Sequence, residues 1–100
     1  MLVARQVFQA KYGRGDELVA LFQEFNTRMQ DGGETAPRFR ILTDVTGPFF
    51  TVVTEVEVES LAAWEGGFRE SMNQPWMEEW FGRMQPLVES GRREFYTIVE

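Results

Sequence analysis

The chain has 100 residues, of which 43% are hydrophobic and 26% are charged, so we expect one globular domain over residues 1–100. It contains neither cysteine nor histidine, which excludes disulfides, thiolate nucleophiles and the commonest ligands of metals and haem. The net charge of −6, the absence of a signal-peptide pattern and the shortness of every apolar run predict a soluble, cytoplasmic protein that binds neither nucleic acid nor membrane.

The first two predicted elements are a strand and a helix. Residues 2–11 alternate, with one face carrying Leu2, Ala4, Gln6, Phe8 and Ala10 and the other carrying Val3, Arg5, Val7 and Gln9. Asp16 and Glu17 favour a helix start, because negative charge is stabilised at the positive end of a helix. The helix has an apolar stripe of Leu18, Phe22, Phe25 and Met29. "DGGETAP" ends it, with Gly32 able to form a left-handed cap.

Two further strands are predicted in the middle of the chain. Residues 38–46 alternate between apolar and polar side chains, and "TGP" predicts a turn. Residues 49–59 follow as a strand that has Phe49, Thr51, Val53, Glu55 and Glu57 on one face. The first three of these are not the charged side chains that a water-facing surface normally carries.

The last third of the sequence predicts a broken helix and a final strand. Ser60 is a suitable N-cap for a helix whose buried stripe is Leu61, Trp64, Phe68 and Met72. Pro75 restarts a helix, which Pro86 and Gly91 close. Its broad apolar face holds Trp76, Met77, Trp80, Phe81, Met84 and Val88. "REFYTIV" is the final strand.

The order β-α-β-β-α-β predicts an α+β fold, a ferredoxin-like sandwich in which a four-stranded antiparallel sheet has its helices on one face. The other face, with Val3, Val7, Phe49 and Val53, would then expose a large apolar patch, which monomers rarely tolerate. We therefore expect a homodimer that pairs sheet against sheet about a two-fold axis. The alternative is that this face is more polar than the alternation indicates.

Three segments resemble the NIPSNAP branch of the dimeric α/β-barrel superfamily: "KYGRGDELVALFQEF", "TGPFFTVVTEVEVESLAAWE" and "QPWMEEWFGRMQPLV". The resemblance covers nearly the whole chain and implies a homodimer whose two sheets close into a barrel. Members of the superfamily include cofactor-free monooxygenases and haem-degrading enzymes, so the resemblance does not imply one reaction. The haem enzymes rely on a histidine that this chain lacks, so haem binding would need an unusual ligand such as Tyr96.

The candidate ligand-binding residues are Arg5, Arg40, Glu55, Trp64 and Tyr96. We expect them to line a cavity between sheet and helices that binds a small apolar or aromatic molecule, with cofactor-free oxidation as the catalytic version. Alternatively, Arg5 and Glu55 form an ion pair that satisfies a buried interface, and the protein is a non-catalytic assembly or regulatory module.

We expect no metal and no cofactor. Glu55, Glu57 and Glu59 alternate along a strand and Glu78 is followed by Glu79, but their spacing is not that of a metal site. Two glycines at 66–67 inside a predicted helix are unfavourable and indicate a helix break or a close backbone approach. The functional interpretation is a pliable lid over the cavity, and the alternative is a packing adjustment beside Trp64.

Overall fold

The computed structural model describes residues 1–31 and 38–100 of the chain. In chain order, the elements are β1 (Leu2–Ala10), α1 (Gly15–Asp31), β2 (Arg40–Thr43), β3 (Thr51–Val58), α2 (Leu61–Met72), α3 (Met77–Met84), a 3₁₀ turn (Gln85–Leu87) and β4 (Val88–Thr97). This confirms the predicted element order, including the break in the second helical stretch. The predicted glycine cap of the first helix lies outside the described residues.

The strands form one antiparallel sheet in the order β2-β3-β1-β4. Arg5 lies opposite Glu55 on one side and Glu94 on the other, and Arg40 lies opposite Glu55. The ferredoxin-like α+β prediction is confirmed by this topology. The molecule measures 36 × 34 × 18 Å, and the shortest of these dimensions is the thickness of one sheet and one helical layer.

The core lies between the helices and the face of β1 that carries Ala4, Phe8 and Ala10. Leu18 and Phe22 of α1 are buried there, as the helical spacing predicts. Trp80 of α3 is also buried, and its indole N–H donates to the Leu21 carbonyl at 3.0 Å. A buried indole needs such an acceptor, so α3 is fixed against α1.

The third strand starts later than the sequence predicts. Phe49 and Phe50 belong to the preceding turn, in which Gly47 and Phe50 both have positive φ angles. The Asp44 carboxylate accepts from the Thr51 backbone N–H at 3.0 Å and closes this turn. The second strand is correspondingly short, since the chain leaves the sheet after Thr43.

The fourth strand starts earlier than predicted. Pro86 ends the helical stretch in a 3₁₀ turn, and Val88 begins β4 instead of continuing the helix. Gly91 lies inside the strand beside Phe8, where an added Cβ would be 3.2 Å from the phenyl ring. The glycine therefore serves close packing, and its prediction as a helix stop is wrong.

Helix α2 has the predicted N-cap but not the predicted burial. Ser60 Oγ accepts from the Ala63 N–H at 3.1 Å. No residue of α2 is buried, Leu61 is 57% exposed, and Trp64, Phe68 and Met72 are only half-buried. The predicted buried stripe is wrong because a cavity lies between part of this helix and the sheet, which Trp64 still contacts through Phe95.

Candidate ligand-binding site

The sheet face opposite the helices, here called the open face, carries a network centred on Glu55. This side chain is only 5% exposed. Its Oε2 accepts from Arg5 Nε at 2.5 Å, and its Oε1 accepts from Arg40 Nη2 at 2.5 Å and Nε at 2.9 Å. The carboxylate is thus held between arginines from both neighbouring strands, as a buried charge requires.

Hydrogen bonds from Arg40 and then Arg5 lower the pKa of Glu55, against the opposing effect of burial. The charged row continues through Arg5 to Glu94, which accepts from Arg92 Nε at 3.2 Å. The Arg5 guanidinium also lies 5.3 Å from the Tyr96 ring centroid. The open face therefore carries paired charges beside partly exposed apolar side chains.

On the helical side of the sheet lies a cavity of about 700 Å³, here called the helix–sheet cavity. Aromatic and methionine side chains from the helices dominate its walls: Phe22, Phe25, Met29, Trp64, Phe68, Met72, Trp80, Phe81 and Met84. Its size and lining are typical of small-molecule sites, which combine a mostly apolar surface with a few polar groups.

Three of the polar residues that line this cavity form a row across the sheet floor. Thr54, Gln6 and Arg93 lie opposite one another on β3, β1 and β4. With the amide oxygen of Gln6 directed at Arg93, that oxygen accepts from Nη2 at 3.2 Å and from Nε at 3.1 Å. The hydroxyl of Thr54, a residue only 4% exposed, takes part in no hydrogen bond among the described residues.

Arg93 contacts two aromatic rings of α2. Its guanidinium carbon is 4.5 Å from the ring centroid of Trp64 and 5.2 Å from that of Phe68. These two rings are themselves stacked, with centroids 5.1 Å apart. Cation–π contacts hold the guanidinium at the cavity wall.

The five sequence-predicted ligand residues do not meet in one place. Arg5, Arg40, Glu55 and Tyr96 are on the open face, whereas Trp64 lines the helix–sheet cavity. The distances within the Arg5–Glu55 pair match the ion-pair interpretation. Ligand binding by the four open-face residues stays a prediction.

Sequence reasoning missed Gln6, Thr54 and Arg93. Gln6 did interrupt an otherwise apolar face of β1, which was a usable signal. Arg93 shares the helix-facing side of β4 with Phe95, whose ring packs against Trp64 at 5.2 Å. Its neighbour Arg92 lies on the opposite face, so alternation along a correctly bounded strand would have separated the two.

No group of three or more potential metal ligands occurs among residues 1–31 and 38–100. No helix in the described part of the chain is long and apolar enough to cross a membrane.

Solved structures of similar fold come from the NIPSNAP proteins. A NIPSNAP domain protein from Burkholderia xenovorans superposes with a TM-score of 0.84 at 17% identity, covering 99% of this chain and 95% of that one. A NIPSNAP family protein from Agrobacterium tumefaciens gives 0.83 at 15% identity, with 99% and 93% covered. An antibiotic biosynthesis monooxygenase gives 0.71 at 14% identity, with both chains fully covered.

No family model and no curated protein matches the sequence. At these identities the similarity shows the fold and not the activity. The chain therefore has the fold of the NIPSNAP proteins, which an antibiotic biosynthesis monooxygenase shares.

Proposed function

We propose that this protein is a cytoplasmic homodimer that binds a small apolar or aromatic molecule in the helix–sheet cavity. The single observation that carries the proposal is the cavity itself, about 700 Å³ between aromatic walls and a partly polar floor. The cavity is open to solvent, and its aromatic side chains Phe25, Trp64, Phe68 and Phe81 are only half-buried, so an apolar ligand would cover surface that the protein itself leaves exposed.

Helix α2 supports the proposal as one wall of the site. Trp64 and Phe68 face the cavity while none of the residues of α2 is buried. An amphipathic helix that is capped but loosely packed can move outward at little cost, because few buried contacts are lost. Ligand entry past α2 is therefore consistent with its packing.

The open face supports the homodimer. Val3, Val7 and Val53 are partly exposed there around the nearly buried Glu55. A second copy would cover the same patch on each chain. The catalytic version of the hypothesis, cofactor-free oxidation of the bound molecule, draws its support from the fold shared with the monooxygenase.

A fluorescent probe tests the cavity directly. N-phenyl-1-naphthylamine is apolar and uncharged, and its emission rises in a dry site. We expect the wild-type protein to bind it and Gly67→Leu to weaken binding at least tenfold, because Gly67 lines the cavity. Gly66→Leu is the matched control, since it adds the same side chain on the same helix at a position that does not line the cavity.

The alternative function is a non-catalytic assembly module. The observation favouring it is that Glu55 is fully occupied by Arg5 and Arg40, which leaves it no role towards a ligand. The assembly module becomes the preferred function if the probe does not bind and native mass spectrometry of protein purified from its host detects no bound small molecule.

A further inference from the structure

Arg93 differs from most arginines of this protein in having no acidic partner within residues 1–31 and 38–100. Seven of the nine arginines have a carboxylate oxygen within 3.2 Å. Arg38 and Arg93 have none among the described residues, and both line the helix–sheet cavity. A net charge of −6 makes carboxylates plentiful in this chain. The two arginines without a carboxylate partner among the described residues thus coincide with the candidate site.

Of the two, Arg93 is the one that the surrounding structure positions. Gln6 accepts from its Nε and Nη2, and the rings of Trp64 and Phe68 pack against its guanidinium. Both arginines are exposed, but Arg38 precedes β2 at the other edge of the sheet and has no comparable ring or amide contact among the described residues. A guanidinium has five N–H donors in a fixed planar arrangement, so at least three of those of Arg93 are free for a ligand.

We infer that the helix–sheet cavity selects apolar or aromatic molecules that carry a carboxylate, and that Arg93 binds this carboxylate. The inference rests on the proposed function and names its ligand class. Arginine binds carboxylates through charge-assisted hydrogen bonds, often two in parallel, which are stronger than hydrogen bonds between neutral groups. The aromatic walls then accommodate the rest of the ligand.

The acidic residues of the cavity do not oppose this assignment. Glu57 and Glu59 lie three and five residues beyond Thr54 along the chain, about 10–17 Å from the level of the polar row. Exposed charges at that separation are largely screened at physiological ionic strength. Glu70 lines the cavity from α2 and is exposed. Thr54 lies two strands from Arg93, about 10 Å away, and is too distant to share the carboxylate.

Three matched compounds test the ligand class: 2-naphthylacetate, 2-naphthylacetamide and 2-(2-naphthyl)ethylamine. They share one aromatic body and differ in the polar end. By isothermal titration calorimetry on the wild-type protein, we expect the carboxylate to bind about tenfold or more tightly than the amide, and the amine to bind weakest. Equal binding of carboxylate and amide, or tightest binding of the amine, would overturn the inference and leave the proposed function standing.

Arg93→Met tests the residue, because methionine retains apolar bulk and removes the charge. We expect it to weaken the carboxylate about tenfold or more and to change the amide by less than about threefold. Arg92→Met is the matched control, since Arg92 is the next residue and pairs with Glu94 on the open face. Loss of carboxylate binding in Arg38→Met but not in Arg93→Met would overturn the assignment to Arg93.

A second variant and one further outcome complete the test. If Arg93→Met does not fold, Arg93→Lys retains the charge and loses the planar donor pattern, and we expect it to bind the carboxylate more weakly than wild type but more tightly than it binds the amide. If all three compounds and N-phenyl-1-naphthylamine fail to bind, the cavity is not a ligand site and the proposed function falls together with the inference.

Discussion

Glu55 is the only buried carboxylate among the described residues, and the open face of the sheet depends on its ionised form. Its arginine partners keep 39% and 73% of their side-chain surface exposed, so water screens part of each interaction. Glu55→Gln should lower the free energy of unfolding at pH 7 by about 1.5 kcal/mol, the low end for hydrogen bonds to charged groups. Chemical denaturation measures this directly.

The same carboxylate predicts a pH dependence. Because the folded-state pKa of Glu55 is lowered, its stabilising contribution is complete above the unfolded pKa, about 4.3. It is lost as the pH falls through the lower, folded-state pKa. The stability difference between wild type and Glu55→Gln should therefore be constant from pH 7 to about pH 5 and shrink below about pH 4. Glu65→Gln, in an exposed pair with Arg69, should show almost no difference at any pH. A Glu55→Gln difference that persists unchanged at pH 3 would contradict the assignment.

Helix α2 is the element whose sequence and packing disagree most. Gly66 and Gly67 lie in its middle, yet the helix is unbroken and an added Cβ at either position meets nothing within 4 Å. A close backbone approach is therefore not the reason for these glycines. Glycine gives the helix backbone freedom that alanine would remove. A packing adjustment beside Trp64 and a pliable wall for the helix–sheet cavity both remain, and the pliable wall is the interpretation that ligand entry can test.

Gly66→Ala tests this interpretation. We expect the free energy of unfolding to rise by about 0.5–1 kcal/mol, because alanine favours the helix and nothing obstructs its methyl group. If α2 must move for ligand entry, the association and dissociation rates of N-phenyl-1-naphthylamine should both fall while its affinity changes little. Stopped-flow fluorescence measures the association and dissociation rates separately, and their ratio gives the affinity. Unchanged rates in a stabilised variant would remove the lid role from α2.

The elements that the sequence predicted well are those with strong local signals. The stripe of α1 and the Ser60 cap follow from spacing and hydrogen-bonding chemistry alone. The start of β4 was not predicted correctly, because Val88 fits the apolar face of the preceding helix as well as it fits a strand. Pairing of β4 with β1 distinguishes the two, and that pairing joins residues far apart in the chain.

The candidate site was predicted only in part for the same reason. Alternation correctly placed Arg5 and Glu55 on one sheet face, and their pairing follows from strand register. The sequence does not show that a gap lies between part of the helical layer and the sheet face that the helices cover. The cavity arises because α2 stands away from the sheet, so Trp64 became a wall of the site and the arginine beside it, Arg93, was not recognised.

At the level of the whole molecule, two layers measuring 18 Å across leave one face of the sheet without a covering layer from the described residues. The apolar part of that face is centred on Val53, which lies opposite Val7 on one side and Leu42 on the other. Leu42 is 39% exposed. A second copy placed over this row would bury apolar surface and enclose the Glu55 network, whose charges are already paired.

Val53→Lys tests this dimer. A lysine in the middle of the row would place an unpaired charge in an interface, which is costly, whereas in a monomer its ammonium group would reach water. We expect the wild type to sediment as a dimer and Val53→Lys as a folded monomer with an intact circular dichroism spectrum. Ala62→Lys, on the exposed side of α2, should stay dimeric. A Val53→Lys protein that dimerises with the affinity of the wild type would show that the sheets do not meet, and the open face would then need another explanation for its exposed apolar residues.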